Sequence, residues 1–264
     1  MTSGHAMAAD GEPAAPHLLD AHCHLDFVPD PAAHARALGS LGVSALSCTV
    51  GPAGYEAAHA QLAGSTNVVV GLGLHPWDVS EAADPEVPLG RFCELVGGAD
   101  LVGEVGLDLG CAHVATHDVQ RAALERAMDA VEAAGRRPVV SIHSVHAAGE
   151  VLDVLEATGV AASCRCVLHW FSGTSDELAR AVRLGCSFSV GERMLATRKG
   201  RAYVHDLPAE AILLETDLPE APDRPCSPER QQGSLAHALE LVGRIRDEPM
   251  AQVVARNAER LLNR

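Results

Sequence analysis

"LLDAHCHLDF", Leu18 to Phe27, is the stretch on which the fold reading turns. Its apolar lead reads as a buried β-strand that ends in two histidines separated by one cysteine. Residues i and i+2 of a strand point to the same side. His22 and His24 therefore face one way, into an interior or its mouth. Two imidazoles buried side by side without partners are costly. A divalent cation removes that cost, because neutral histidine is a preferred ligand for such ions. A pair of hydrogen-bonded core histidines is the plain alternative.

Working outward from this strand (17–24), similar apolar runs recur at 43–50, 67–75, 101–108, 138–144, 166–172, 186–192 and 211–218. Most are continuous rather than alternating, which suits parallel strands covered on both faces. Amphipathic stretches lie between them. "DPAAHARALGSLG" has an Asp cap and a Pro at the first helical position, and it ends at Gly42. "THDVQRAALERAMDAVEAAGRR" is the clearest helix and stops at Gly135. "HAAGEVLDVLEATG", "TSDELARAVRLG" and "SPERQQGSLAHALELVGRIRD" follow the same logic, and "EPMAQVVARNAERLLNR" adds a C-terminal helix. Strand–helix units repeated over about 250 residues fit an α/β fold of the (β/α)₈ TIM-barrel type. An open doubly wound sheet is the competing architecture, but no Gly-rich phosphate fingerprint follows the first strand. Residues 1–16 read as a disordered leader without signal-peptide character, and 17–264 as one barrel domain.

A barrel places catalytic groups at the C-terminal ends of its strands. There the sequence sets His22 and His24, His75, Glu104, His143, His169 and Asp217. Six of these suffice for two metal ions, which need a bridging anion. The chain's one lysine, Lys199, falls after the seventh strand, so a carboxylated lysine is not the expected bridge. Glu104, in "VGEVGLD", is the candidate.

"DAHCHLDF", "GLHPW", "VGEVGLD", "SIHS", "LHWFSG", "GCSFSVG" and "LLETDLP" occur in that order. Together they resemble the motif series of the TatD family of metal-dependent deoxyribonucleases, over nearly the whole chain. The resemblance implies a TIM barrel similar to the amidohydrolases. It implies one ion held by His22, His24, Glu104 and Asp217, and a second held by Glu104, His143 and His169. Asp217 would orient or deprotonate the attacking water, which with Glu104 makes the catalytic pair. The implied cofactors are two divalent ions, Mg or Mn; on ligand type alone the imidazoles and carboxylates would also suit Zn, Fe or Ni. The implied substrate is DNA, cleaved as by a 3′–5′ exonuclease. His75 matches the "GxHP" histidine and is expected to contact substrate or the groups around the metal ligands rather than metal. Asp108 is expected to play a structural or supporting role beyond the strand end.

One departure stands out. Many relatives carry an arginine two residues after the fifth-strand histidine, where this chain has Val145. His146 is a candidate substitute, as is the basic segment "ERMLATRKGR" with Arg193, Arg198, Lys199 and Arg201; a solvated helix face is the other reading of that segment. Trp170 and Phe171 are either a base-stacking wall or barrel packing, with packing the expected role. "LHWFSG" and "FSVGERML" also resemble TatD-like members of bacterial anti-phage defence clusters, the QatD type.

Composition sets limits. Lys plus Arg total 20 against 35 Asp plus Glu, a net charge of −15, which excludes a general nucleic-acid-coating surface. It leaves room for a narrow site in which cations neutralise phosphate. It also leaves room for a hydrolase of a small ester, amide or nucleotide, or for a non-catalytic partner protein that keeps metals for stability. Eight cysteines without a CxxC pair are expected as reduced, buried thiols. No apolar run reaches the ~20 residues of a bilayer span. A cytoplasmic monomer without membrane attachment is expected.

Overall fold

Val, Leu and Ile dominate the strands because both sheet faces are covered. The computed structural model describes residues 17–224 and 226–263; the leader expected over residues 1–16 lies outside the described residues. Strand β1, Leu18–Cys23, is buried along its whole length. It pairs in parallel with β2, Val43–Ser47, which pairs with β3, Val68–Val70. A second parallel series follows in chain order: β4 (Leu72–Leu74), β5 (Leu101–Asp108), β6 (Val139–Val145), β7 (Arg165–His169), β8 (Ser187–Val190) and β9 (Ile212–Leu214).

The sequence reads 67–75 as one strand, and the structure divides it at Gly71. There the N–H of Gly71 donates to Ser47 O at 2.8 Å. A Cβ at this position would meet Gly103 O at 2.7 Å and the Leu101 side chain at 2.9 Å. Only glycine fits so close to β5, and the chain passes there from one set of ladders to the next. At the opposite seam β9 returns to β1. Asp217 N–H donates to His22 O and His24 N–H to Leu218 O, both at 2.9 Å, and Thr216 N–H donates to Asp20 Oδ1 at 2.9 Å. These bonds bring the last strand beside the first, as the (β/α)₈ barrel requires.

The helices end where the sequence signals it. Asp30 Oδ1 accepts from Ala33 N–H at 2.9 Å ahead of Pro31–Ser40. His117–Ala134 stops at Gly135, whose φ of 68° lies in the left-handed region. Thr174 and Glu177 close a capping box on Ser175–Arg183. Ser227 caps Pro228–Arg246, and Ala251–Leu262 packs last.

Some expectations need correction. The strand read over 211–218 keeps its ladder only at Ile212–Leu214, because Thr216–Leu218 are drawn across to β1. Asp108 is the final residue of β5, not a turn residue beyond it. The basic segment forms two helices, Glu192–Ala196 and Arg198–Asp206. All eight cysteines are free, but Cys93 and Cys111 are exposed. Phe171, by contrast, has the packing role expected of it: it is 1% exposed and packs edge-on against Phe188 at 5.5 Å and near Tyr203 at 5.2 Å. No helix among the described residues is long and apolar enough to cross a membrane.

Candidate metal centre

Glu104 sits within β5, buried at the centre of the rim residues. Its two oxygens face two different histidine pairs. Oε1 lies 2.7 Å from His143 Nδ1 and 2.7 Å from His169 Nε2. Oε2 lies 3.4 Å from His22 Nε2 and 3.6 Å from His24 Nε2. Asp217 Oδ1 completes the second group, 3.3 Å from His24 Nε2 and 3.8 Å from His22 Nε2. Gly106 makes this convergence possible. Its φ is 149°, and a Cβ there would meet His143 O at 1.9 Å, so only glycine lets β5 and β6 approach.

Tautomers follow from the other ring nitrogens. His24 Nδ1 lies 3.1 Å from Cys48 O, and a carbonyl only accepts. Nδ1 therefore carries the proton, and the Nε2 of the neutral ring turns a lone pair towards two carboxylates. Only a proton or a cation relieves that arrangement. Burial pulls the His24 pKa down, but Asp217 and Glu104 push it up to about 9. His22 is held at Nδ1 by Ser141 Oγ, 2.7 Å away, while its buried Nε2 has no hydrogen-bond partner among the described residues. Its pKa is lowered to about 4 by burial and by His169, against the pull of Glu104. Ligand atoms sharing one transition-metal ion at ~2.1 Å stand roughly 3–3.5 Å apart. The spacing of His22, His24, Glu104 and Asp217 lies close to that range, so these residues fit a cation.

His143 and His169 behave as a second pair. Their facing nitrogens, Nδ1 and Nε2, are 3.4 Å apart across Glu104 Oε1. Burial lowers the His143 pKa, but Asp108 and Glu104 push it up to about 9. Glu104 itself is penalised by burial yet falls well below the carboxylate range beside His169, His75 and His22. His75 differs. Its Nδ1 accepts from Trp77 N–H at 3.2 Å, which leaves the proton of the neutral ring on Nε2, 3.7 Å from Glu104 Oε1. That makes His75 a donor facing the site.

Asp108 Oδ2 lies 3.5 Å from His143 Nε2 and accepts from Trp77 Nε1–H at 2.9 Å. Gly110 N–H donates to its Oδ1 at 2.8 Å. Burial opposes the charge, but His143, Gly110 and Trp77 hold this carboxyl well below its usual range. Arg193 Nη2 donates to Asp217 Oδ2 at 2.5 Å, and Nη1 lies 3.0 Å from Glu220 Oε1. The guanidinium carbon stands 4.4 Å over the Trp170 ring. Trp170 and Asp217 have φ of 37° and 55°, a region that non-glycine residues seldom adopt and that clusters at functional sites.

A cavity of about 360 Å³ opens beside these groups. His143, His169 and Asp217 line it, with Trp77, Val145, Trp170 and Arg193. His146 is exposed and is absent from this lining. Lys199 Nζ donates to Ser172 O at 2.6 Å, and Arg201 donates to Leu195 O and Ala196 O, so both serve as structural ties.

Sequence reasoning missed four supports. Asp20 accepts from Thr216 N–H, Thr216 Oγ1–H, Gln231 Nε2–H and His22 N–H, which ties β1 to the segment after β9 and to the helix Pro228–Arg246 behind His22. Ser141 holds His22, Glu215 lies behind His169, and Trp77 holds Asp108. Asp20 and Ser141 each stand two residues before a site histidine, so the alternation that found His22 and His143 also marks them.

The sequence profile of the TatD related DNases matches residues 19–263, which span all of these groups. The chain belongs to the TatD family. Among TatD relatives, the "3'-5' ssDNA/RNA exonuclease TatD" of Edwardsiella piscicida is 31% identical over 205 residues, covering 72% of this chain and 75% of that protein. The uncharacterized metal-dependent hydrolase YjjV of Escherichia coli K12 is 28% identical over 263 residues, covering 93% of this chain and 97% of that one. The crystal structure of YjjV matches with a TM-score of 0.77 at 24% identity, covering 93% of this chain and 97% of that chain. A TatD-family hydrolase structure from Entamoeba histolytica matches with a TM-score of 0.72 at 14% identity, over 94% of this chain and 98% of that one. Both likenesses show that this chain shares their fold.

Proposed function

We propose that this TatD-family chain is a divalent-metal-dependent phosphodiesterase that removes nucleotides from the 3′ end of single-stranded nucleic acid. The observation that carries this reading is that Glu104 stands between two histidine pairs, with Oε2 3.4 and 3.6 Å from His22 and His24 and Oε1 2.7 Å from both His143 and His169. His22, His24, Glu104 and Asp217 would hold one ion, and Glu104, His143 and His169 a second, with Mg, Mn or Zn as candidates. Such ions, when bound, acidify water and offset charge on phosphoryl oxygens.

The chain's own residues supply the rest. Asp217 Oδ1 is the base that takes the proton of the attacking water, and Arg193 keeps Oδ2 out of that role. Asp108 Oδ2, 3.5 Å from His143 Nε2, attracts that edge of the ring and so favours the orientation in which Nδ1 faces Glu104. His75 Nε2–H donates into the site. Trp170 and Arg193 form the wall that receives a phosphate, so the guanidinium missing at Val145 is supplied from the helix after β8. The exposed His146 takes no part. The proposed setting is the cytoplasm, with the chain acting as a monomer.

A second reading keeps the metals and changes the substrate to a small ester, amide or nucleotide. Val145 in the cavity lining and the net charge of −15 favour it. The test is to strip the purified protein with chelator, reload it with Mg, Mn or Zn, and follow 5′-labelled single-stranded DNA and RNA beside a panel of small esters and N-acyl compounds. Metal-restored shortening from the 3′ end is expected. Intact nucleic acid with turnover of a small compound would decide for the second reading.

A further inference from the structure

The chain has two tryptophans, and both line the cavity beside the candidate metal centre. They are built differently. Trp170 lies beneath the guanidinium of Arg193 and faces charge. Trp77 is 43% exposed, although large aromatic surfaces are normally withdrawn from water. Its ring is stacked on His113, with centroids 4.6 Å apart and planes at 18°. It is also held in its plane, since Nε1–H donates to Asp108 Oδ2 at 2.9 Å. Asp108 in turn lies 3.5 Å from His143 Nε2, so the indole stands one carboxylate away from the candidate ligand set. The loop that carries His113 is tied down, with His113 N–H donating to Gly110 O at 2.9 Å. Val145 adds apolar surface to the same cavity.

We propose that Trp77, backed by His113, is a platform on which a nucleobase of a single-stranded substrate stacks. This subsite is distinct from the phosphate contacts at Arg193, and the inference rests on the nuclease reading above. A fixed, uncharged, half-exposed ring beside an apolar wall suits a planar heterocycle. It offers little to a phosphate. Stacking of this kind tolerates any base, because every base has a π-face.

The experiment uses the metal-loaded Asp217→Asn protein, so that ligands survive, and measures affinity for fluorescently labelled oligo-dT and for an abasic phosphodiester of equal length. Trp77 is kept, or replaced by Phe, Leu or Ala. With Trp77 present, oligo-dT should bind roughly 5- to 100-fold more tightly than the abasic chain, the range of one base–aromatic stack. Trp77→Phe should keep most of that preference although it loses the N–H to Asp108. Trp77→Ala should bring oligo-dT down to the abasic level and leave abasic affinity unchanged. Trp77→Leu keeps apolar bulk without a π-face and should behave as Ala does, which covers the case of an unfolded Ala variant. A preference that survives in Trp77→Leu, or is absent with Trp77 intact, overturns the platform. Hydrolysis of oligo-dT by the unaltered protein is read separately and bears on the nuclease reading alone.

Discussion

Arg193 holds Asp217 by one oxygen, Nη2 to Oδ2 at 2.5 Å, while the other, Oδ1, faces His24 Nε2 at 3.3 Å. One carboxylate thus divides its duties between a cation at the cleft mouth and the interior of the site. Asp217→Asn should keep the metal, because an amide oxygen still presents a ligand, but lose the base. Turnover should fall by about 10²–10⁴-fold, the usual weight of general base catalysis. Metal analysis beside rate measurement checks this, and near-normal turnover would remove Asp217 from the role.

Arg193→Ala should raise KM for nucleic acid by roughly tenfold, more than it lowers kcat. Arg193→Lys should restore little, because a lysine lacks the planar fork that spans two oxygens. Steady-state kinetics on single-stranded DNA decide, and full rescue by lysine would count against the forked contact.

Asp108→Asn should weaken metal retention by about 10- to 100-fold, the usual effect of disturbing a carboxylate that orients a ligand histidine. Titration with a competing chelator measures it. Unchanged retention would mean that His143 needs no such partner.

With no cation bound, burial pulls His24 and His143 down, but the neighbouring carboxylates push both up to about 9. Both rings therefore carry a proton at neutral pH, and a cation must displace it. Metal loading should release protons, and affinity should climb as pH rises towards 9. Calorimetry in buffers of different ionisation enthalpy reads the proton count; a count of zero at pH 7 would contradict the arrangement.

Burial raises the Glu215 carboxyl to about 8 from 4.5, with His169 opposing. A raised carboxyl pKa stabilises the fold below pH 4.5, and that contribution is lost as pH rises through 8. Glu215→Gln cannot ionise, and its amide can still meet Trp170 N–H and Ser189 Oγ, the present partners of Glu215. Its thermal midpoint relative to wild type should therefore rise between pH 5 and 8, by ~2–4 °C for each kcal/mol gained. Parallel curves would show that Glu215 does not titrate there.

The fold was legible where one physical pattern acts alone. Period-two geometry exposed His22 and His24, and strand-end position exposed Glu104, His143 and His169. It failed where tertiary contacts override local signals. Glu86–Leu95 contains Pro88 and Gly90, which argue against a helix, yet Leu89 and Phe92 are buried on one face of it. Pro52–Leu62 is rich in alanine and shows little apolar asymmetry, so it too was missed. Asp217 was found by its neighbours in sequence, but not its left-handed backbone, which follows from bonds to a strand almost two hundred residues away. Trp77 read as part of a motif; its half-exposed ring follows from His113 and Asp108, which no spacing rule connects to it.

The seam between β9 and β1 gives the site a further property. Asp217 N–H bonds to His22 O, so two of the groups proposed to grip one ion hang from the first strand and from just beyond the last, at the joint where the two meet. A chain still emerging from synthesis has the early histidines and lacks the late carboxylate. Tight cation capture would therefore report a finished molecule, and the captured ion would act as a clasp that favours the closed ring over any opened one.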